Sequence, residues 1–243
     1  LAGAINRMTG RLAGFVTGQK RFLGDIAHEL CAPIARIQFG LGILEQRVPE
    51  QQAESVAEVQ DEVRQMSDLV GELLSFSKAG MEAARRPLTA VDVGEAIRMA
   101  VERESAGQAV VRVQCEANLQ AQADSPMLVR AISNVVRNAI RYAGEFGGIT
   151  VAGRREAGSV VVLVQDCGPG LAAEDLDRVF APFYRPEASR ERSSGGVGLG
   201  LAIVKSCVEA CQGTVQCSNR AEGGLEVEIR LKPAMARVSS VTP

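Results

Sequence analysis

Between residues 15 and 76 the sequence offers a folding chain almost no place to turn. Leu23, Ile26, Leu30, Ile34, Ile37, Leu41 and Leu44 advance in steps of three and four residues, the spacing of a helix with one narrow apolar seam. Two consecutive steps of four around Leu30 mark a stutter in the heptad. The rhythm breaks at Arg47-Val48-Pro49, and Val56, Val59, Val63, Met66, Val70 and Leu73 then resume it. Two helices with facing seams and a short connection predict an antiparallel hairpin. A lone hairpin cannot bury both seams, so pairing of two chains into a four-helix bundle is expected. The alternative is a monomeric hairpin packed on the second half of the chain.

Residues 79–86, with Gly80 and two arginines, read as a linker that ends at Pro87. Beyond it the grammar changes to alternating helices and strands. A helix is expected over 93–105, with short strands over 110–115 and 119–123. Asp124-Ser125-Pro126 starts a helix over 127–142. Strands over 149–155 and 159–166 pair around Glu156-Ala157-Gly158. A polar, glycine-rich stretch follows, then a helix over 197–211 and a second hairpin over 214–218 and 225–231. This pattern predicts an α+β sandwich, one sheet with helices on one face. The division is therefore a leading helix over 1–18, a helical hairpin over 19–78, the linker over 79–86, a second domain over 87–233 and a frayed tail over 234–243.

Composition serves mainly to exclude. A formal charge of −2 over 243 residues leaves no basic footprint for nucleic acid. No apolar run reaches the length of a membrane span, and no signal peptide is visible. The chain opens at Leu1 inside a helical pattern, so it reads as a piece of something longer. Its six cysteines, Cys31, Cys115, Cys167, Cys207, Cys211 and Cys217, contain no C-x-x-C pair. They are expected to be small apolar residues in a reducing compartment, not metal ligands or disulfides.

Three features carry chemistry. His28 is the only histidine. It stands two residues off the seam, beside Glu29 and one turn before Pro33, which threatens the helix with a break. Imidazole is a competent nucleophile near neutral pH, and an adjacent carboxylate can hold its proton and tautomer. Asn134 and Asn138 share one face of the helix over 127–142, an unfavourable use of asparagine unless their amide oxygens serve as hard ligands. Glycines gather in Asp166-Cys167-Gly168-Pro169-Gly170 and in Gly195-Gly196-Val197-Gly198-Leu199-Gly200, the latter running into a helix. Such glycines let backbone N–H groups approach phosphates at a helix N-terminus.

In this order the blocks resemble those of the bacterial two-component sensor histidine kinases, over nearly the whole chain. His28-Glu29-Leu30-Cys31-Ala32-Pro33 is similar to the H box and Asn134-Val135-Val136-Arg137-Asn138-Ala139 to the N box. Asp166-Cys167-Gly168-Pro169-Gly170 resembles the first glycine box, Phe180-Ala181-Pro182-Phe183-Tyr184-Arg185 the F box, and Gly196-Val197-Gly198-Leu199-Gly200-Leu201 the second glycine box. Ile5-Asn6-Arg7-Met8-Thr9-Gly10-Arg11-Leu12 looks like the end of a HAMP module, which implies a membrane segment upstream and a place on the cytoplasmic side of the inner membrane.

The resemblance implies an ATP-dependent kinase that phosphorylates its own His28, with Glu29 orienting the ring, in a homodimer that passes the phosphoryl group to a response-regulator receiver domain. It implies a Bergerat-type ATP-binding fold for the second half. There Asp166 reads the adenine, Asn138 holds Mg²⁺ with Asn134 in support, and Gly168, Gly170, Gly196, Gly198 and Gly200 let the backbone close on ATP. Residues 184–194 form a lid whose Arg185, Arg190 and Arg192 approach the phosphates, and Arg36, Gln38 and Phe39 face the receiver. Two departures stand out. Ala32 replaces the Thr or Asn common four residues after the histidine, which implies weak phosphatase activity, and Cys31 stands where Arg is common. The competing readings are a topoisomerase-, repair- or chaperone-type ATPase on the same fold and a nucleotide-sensing pseudokinase dimer.

Overall fold

The computed structural model describes residues 2–82, 87–105, 111–143, 146–186 and 197–234. Helix α1 (Ala2–Glu45) runs 44 residues without interruption, and Pro33 lies inside it. Helix α2 (Glu50–Glu82) follows after a tight connection. In that connection Arg47 and Val48 both donate backbone bonds to the Leu44 carbonyl, at 2.8 and 3.0 Å. The two helices form the expected hairpin. α2 continues through 79–82, four residues that the sequence reading gives to the linker. Gly80 costs a helix about 1 kcal/mol, but Phe76, fixed in the core one turn earlier, keeps the helix propagating.

The seam divides in two. Ala27, Ile34, Val63 and Val70 are buried between the helices, with Leu41, Leu73 and Leu74 against them. Ala27 is fully buried although it lies outside the predicted seam, because a methyl side chain lets the helices approach closely. Ile26, Leu30, Ile37 and Leu44, together with Val59 and Met66 of α2, stay about half exposed. Heptad spacing supplies both stripes, one for the partner helix and one facing away from it.

The second half is built on two sheets, not the single one expected. β1 (Thr89–Asp92) and β3 (Gln120–Ala123) make a small antiparallel pair. The larger sheet has the order β2-β4-β5-β7-β6. It comprises β2 (Val111–Cys115), β4 (Ile149–Glu156), β5 (Ser159–Gln165), β6 (Thr214–Asn219) and β7 (Leu225–Leu231). β2 pairs parallel to β4 and the remaining pairs are antiparallel. β1 escapes sequence reading because four residues carry too little periodicity, and its bonds come from a strand about thirty residues away.

Helices α3 (Val93–Ser105), α4 (Ser125–Ala143) and α5 (Gly200–Ala210) cover one face of the large sheet. Asp92 ends β1 and caps α3, its Oδ1 accepting the Glu95 N–H at 2.9 Å. Ile97, Leu128, Ile132, Val135, Val136 and Ile203 meet Val160, Val162 and Val164 of β5 in the core. On the opposite face Val161 and Leu163 are also buried, each paired across β7 with a long side chain, Arg230 and Glu228. An Arg154–Glu156–Arg230–Glu228 ion-pair chain joins these, and its aliphatic stems supply cover. The core extends to the hairpin: Phe76 is buried in it, and Leu23 and Leu73 pack on its edge. α2 thereby rests against α5.

Candidate functional site

A cavity of about 250 Å³ opens between α4, the end of β5, the start of α5 and α2. Each wall is fixed by a local device. Asp124 caps α4, its Oδ1 accepting the Met127 N–H at 3.0 Å, so that helix starts two residues earlier than the sequence suggests. Its cavity face carries Asn134, Arg137, Asn138, Arg141 and Tyr142. Asn134 is buried, and its amide N–H bonds the Arg130 carbonyl one turn back at 2.8 Å. That leaves Oδ1 without a protein partner among the described residues. Arg137 is held by Glu104 of α3 through two bonds of 2.8 and 2.9 Å. The paired carboxylate raises the guanidinium further above its ordinary range.

Asp166 follows β5. Its Oδ1 accepts the backbone N–H of Gly168 at 2.9 Å and of Leu225 at 3.0 Å, and Oδ2 has no protein partner among the described residues. A carboxylate oriented by two backbone donors on one oxygen offers the other to a ligand donor. The turn beyond it needs glycine at 170, where φ is +70° and a Cβ would stand 2.6 Å from Asn219 Oδ1. Asn219 clamps that turn, accepting the Leu171 N–H at 2.8 Å and donating to the Leu171 carbonyl at 2.7 Å.

The third wall is the approach to α5. Gly198 has φ of +75°, and a Cβ there would lie 2.5 Å from the Tyr184 carbonyl. This left-handed residue keeps 197–199 out of the helix, so α5 begins at Gly200, later than the expected 197. Gly200 is pressed against the Asn138 amide, 3.2 Å from where its Cβ would be. Leu199 gives α5 no side-chain cap, so the first-turn N–H groups face the cavity side without one. Tyr184 donates a short hydrogen bond to Asp175, and Arg178 stacks 4.5 Å from its ring centre.

The structure thus brings Asn134, Asn138, Asp166, Gly168, Gly170, Arg185, Gly198 and Gly200 to one cavity. Gly196, Arg190 and Arg192 lie outside the described residues. His28 and Glu29 are exposed on α1 and do not line the cavity. Sequence reading missed Arg137, Arg141 and Tyr142 as cavity residues, although their spacing from Asn134 and Asn138 places all five on one helix face. It also missed Glu72, which enters from α2 and which no local pattern could have indicated.

Two family models match in sequence order. The His Kinase A (phospho-acceptor) domain covers residues 19–82, and the Histidine kinase-, DNA gyrase B-, and HSP90-like ATPase covers 123–235. The chain belongs to the two-component sensor histidine kinases. Among curated members, the sensor histidine kinase CpxA of Escherichia coli K12 is 32% identical over 95% of this chain and 50% of its own length. The sensor-like histidine kinase SenX3 of Mycobacterium tuberculosis H37Rv is 34% identical over 82% of this chain and 50% of its own. The chain spans about half the length of these relatives. The crystal structure of full-length ShkA in complex with AMPPNP matches 88% of this chain and 46% of that one, at TM-score 0.71 and 25% identity. This histidine kinase core therefore pairs a phosphoacceptor hairpin with an ATP-binding domain. A gyrase- or chaperone-type ATPase is not favoured, because the phosphoacceptor domain stands in front. Among the described residues no helix is long and apolar enough to cross a membrane.

Proposed function

We propose that the chain transfers the γ-phosphoryl group of ATP to His28 and then to an aspartate of a response regulator. The observation that carries this reading is the convergence of Asp166, Asn134, Asn138 and the uncapped start of α5 on one cavity, in a chain whose only histidine is exposed beside a carboxylate on the preceding hairpin. Asp166, oriented through Oδ1, accepts the adenine amino group on Oδ2. Phosphates lie toward α5, where backbone N–H groups and the helix dipole favour negative charge.

The amide oxygens of Asn138 and Asn134 are hard donors suited to Mg²⁺, which would neutralise charge on the phosphates when bound. Fitting this, Asn134 Oδ1 has no protein partner among the described residues, while its amide N–H is tied to the Arg130 carbonyl. The His28 imidazole attacks the γ-phosphorus in line, the bond to the ADP oxygen breaks, and Glu29 takes up the ring proton. His28 lies outside the cavity, so the ATP-binding domain must leave its seat on α2 and travel along the hairpin to deliver the phosphoryl group.

A homodimer supplies cover for the second stripe. Ile26, Leu30, Ile37, Leu44, Val59 and Met66 leave a continuous apolar seam that a second copy buries in a four-helix bundle. The exposed Arg36, Gln38 and Phe39, below His28, are the proposed receiver contact. The intact kinase is proposed to be anchored upstream, with this part on the cytoplasmic side of the inner membrane.

The deciding experiment is incubation with γ-³²P-ATP and Mg²⁺ beside a His28→Gln variant. An acid-labile label on the parent chain, lost in the variant, is the expected result. A label that survives in His28→Gln, or no label on a chain that binds ATP, overturns the assignment in favour of another acceptor or of a pseudokinase.

A further inference from the structure

The nucleotide cavity has a lining residue that does not belong to the ATP-binding domain. Glu72 reaches it from α2, the second helix of the phosphoacceptor hairpin. Its entry is imposed by packing. One turn further on, Phe76 is buried in the main core; Leu73 packs on the same core; and Ser77 sits against Gly24, where a Cβ would come within 2.1 Å of the serine oxygen.

Glu72 lines the same cavity as Arg141 and Arg137 and feels their positive charge, and the backbone N–H of Val197 also acts on its carboxylate. Arg137 is already fixed by Glu104. Val197 belongs to the glycine-rich approach to α5, whose first turn has no side-chain cap. One backbone N–H beside a helix N-terminus and two guanidiniums form the donor set that a phosphate oxygen seeks. The Glu72 carboxylate stands in the same cavity.

Among the described residues Glu72 closes no ion pair with either arginine, and Arg137 is paired with Glu104 instead. Burial pushes the Glu72 carboxyl above its ordinary value, and this outweighs the opposing pull of Arg141, Arg137 and the Val197 N–H. The charge is held in an unfavourable seat by the apolar contacts around it, and a better anion can displace it.

We infer that Glu72 is a negative determinant of nucleotide affinity: it occupies the place of a nucleotide phosphate oxygen, so that nucleotide binding expels it and loosens α2 from α5. This rests on the nucleotide reading of the cavity. It couples the two domains directly, because the helix that carries the brake is the helix the ATP-binding domain must leave.

The test is calorimetric titration of the parent chain, Glu72→Gln and Glu58→Gln with AMPPNP and with adenosine. Glu58 is exposed on α2 and serves as the control. Loss of a charge competing for charge-assisted bonds should tighten AMPPNP binding by roughly tenfold in Glu72→Gln. Adenosine affinity should not change, and Glu58→Gln should behave as the parent. Equal or weaker AMPPNP binding by Glu72→Gln overturns the inference, as does an equal gain for adenosine, which would mean that the residue acts through cavity shape. Failure of the parent chain to bind AMPPNP overturns the nucleotide reading as well. Hydrogen exchange on the parent chain gives an answer independent of the variant. AMPPNP should speed exchange in residues 69–77, and unchanged exchange there with nucleotide bound refutes displacement.

Discussion

Gly224 lies against Asp166 so closely that a Cβ on it would stand 2.0 Å from the Asp166 carbonyl oxygen. The contact places the start of β7 where the Leu225 N–H can bond Asp166 Oδ1. Gly224 also holds φ of +96°, a left-handed conformation that only glycine adopts freely. Gly224→Ala should therefore cost about 2–3 kcal/mol, from backbone strain and displacement of the Asp166 main chain. A fall in thermal midpoint together with loss of nucleotide binding is expected. A variant with parental midpoint and affinity would show that β7 can retreat without disturbing the carboxylate.

Asp166→Asn separates the proposed base reading from folding. An asparagine keeps a carbonyl oxygen for the Gly168 and Leu225 N–H groups but puts an NH₂ donor where Oδ2 was. Stability should change little, while adenine-nucleotide affinity falls by more than tenfold, from loss of a charge-assisted bond worth about 1.5–3 kcal/mol. Fluorescent ATP-analogue titration beside a thermal melt checks both halves. Parental affinity would remove Asp166 from the adenine contact.

Ala32, one turn after His28 and exposed, has a side chain that neither donates nor accepts. Dephosphorylation of the partner regulator should be slow in the parent chain and should accelerate several-fold in Ala32→Thr, as expected of a single positioned hydroxyl acting on water. Autophosphorylation should be unaffected. The check is decay of an isolated phospho-regulator with each protein, and equal decay rates would count against a positioning role at residue 32.

The cysteines should divide by exposure. Cys31 and Cys167 are exposed, Cys207 and Cys211 are buried, and burial pushes the Cys217 thiol up to about 11. A raised thiol pKa means less thiolate below it, so at pH 8 about one Cys217 in a thousand is ionised, and reactivity climbs only as pH approaches 11. Timed iodoacetamide labelling read by peptide mass should modify Cys31 and Cys167 first and leave Cys207, Cys211 and Cys217 for the unfolded chain. Early labelling of Cys217 would show that β6 opens in the native state.

Local chemistry left a clear record in the sequence. The heptad steps of 23–44 and 56–73, the capping aspartate at 124 and the glycines at 170, 198 and 200 each act within a turn or two of themselves. Their consequences could be read without knowing what else was near. The hairpin, most element boundaries and the cavity positions of Asn134, Asn138 and Asp166 follow from such signals. Tertiary structure decided what depends on distant partners. β1 became a strand because β3 was available to pair with it. The seam split because Ala27 could admit α2, which left Ile37 and Met66 outward. Gly224 became indispensable through a carbonyl nearly sixty residues away. Glu72, an unremarkable helical glutamate in sequence, entered the nucleotide cavity because Phe76, one turn further along α2, was drawn into the core of the other domain. Side-chain periodicity specifies which face of an element is apolar. Only the packed fold specifies what that face meets, and so which polar residue is carried into the site beside it.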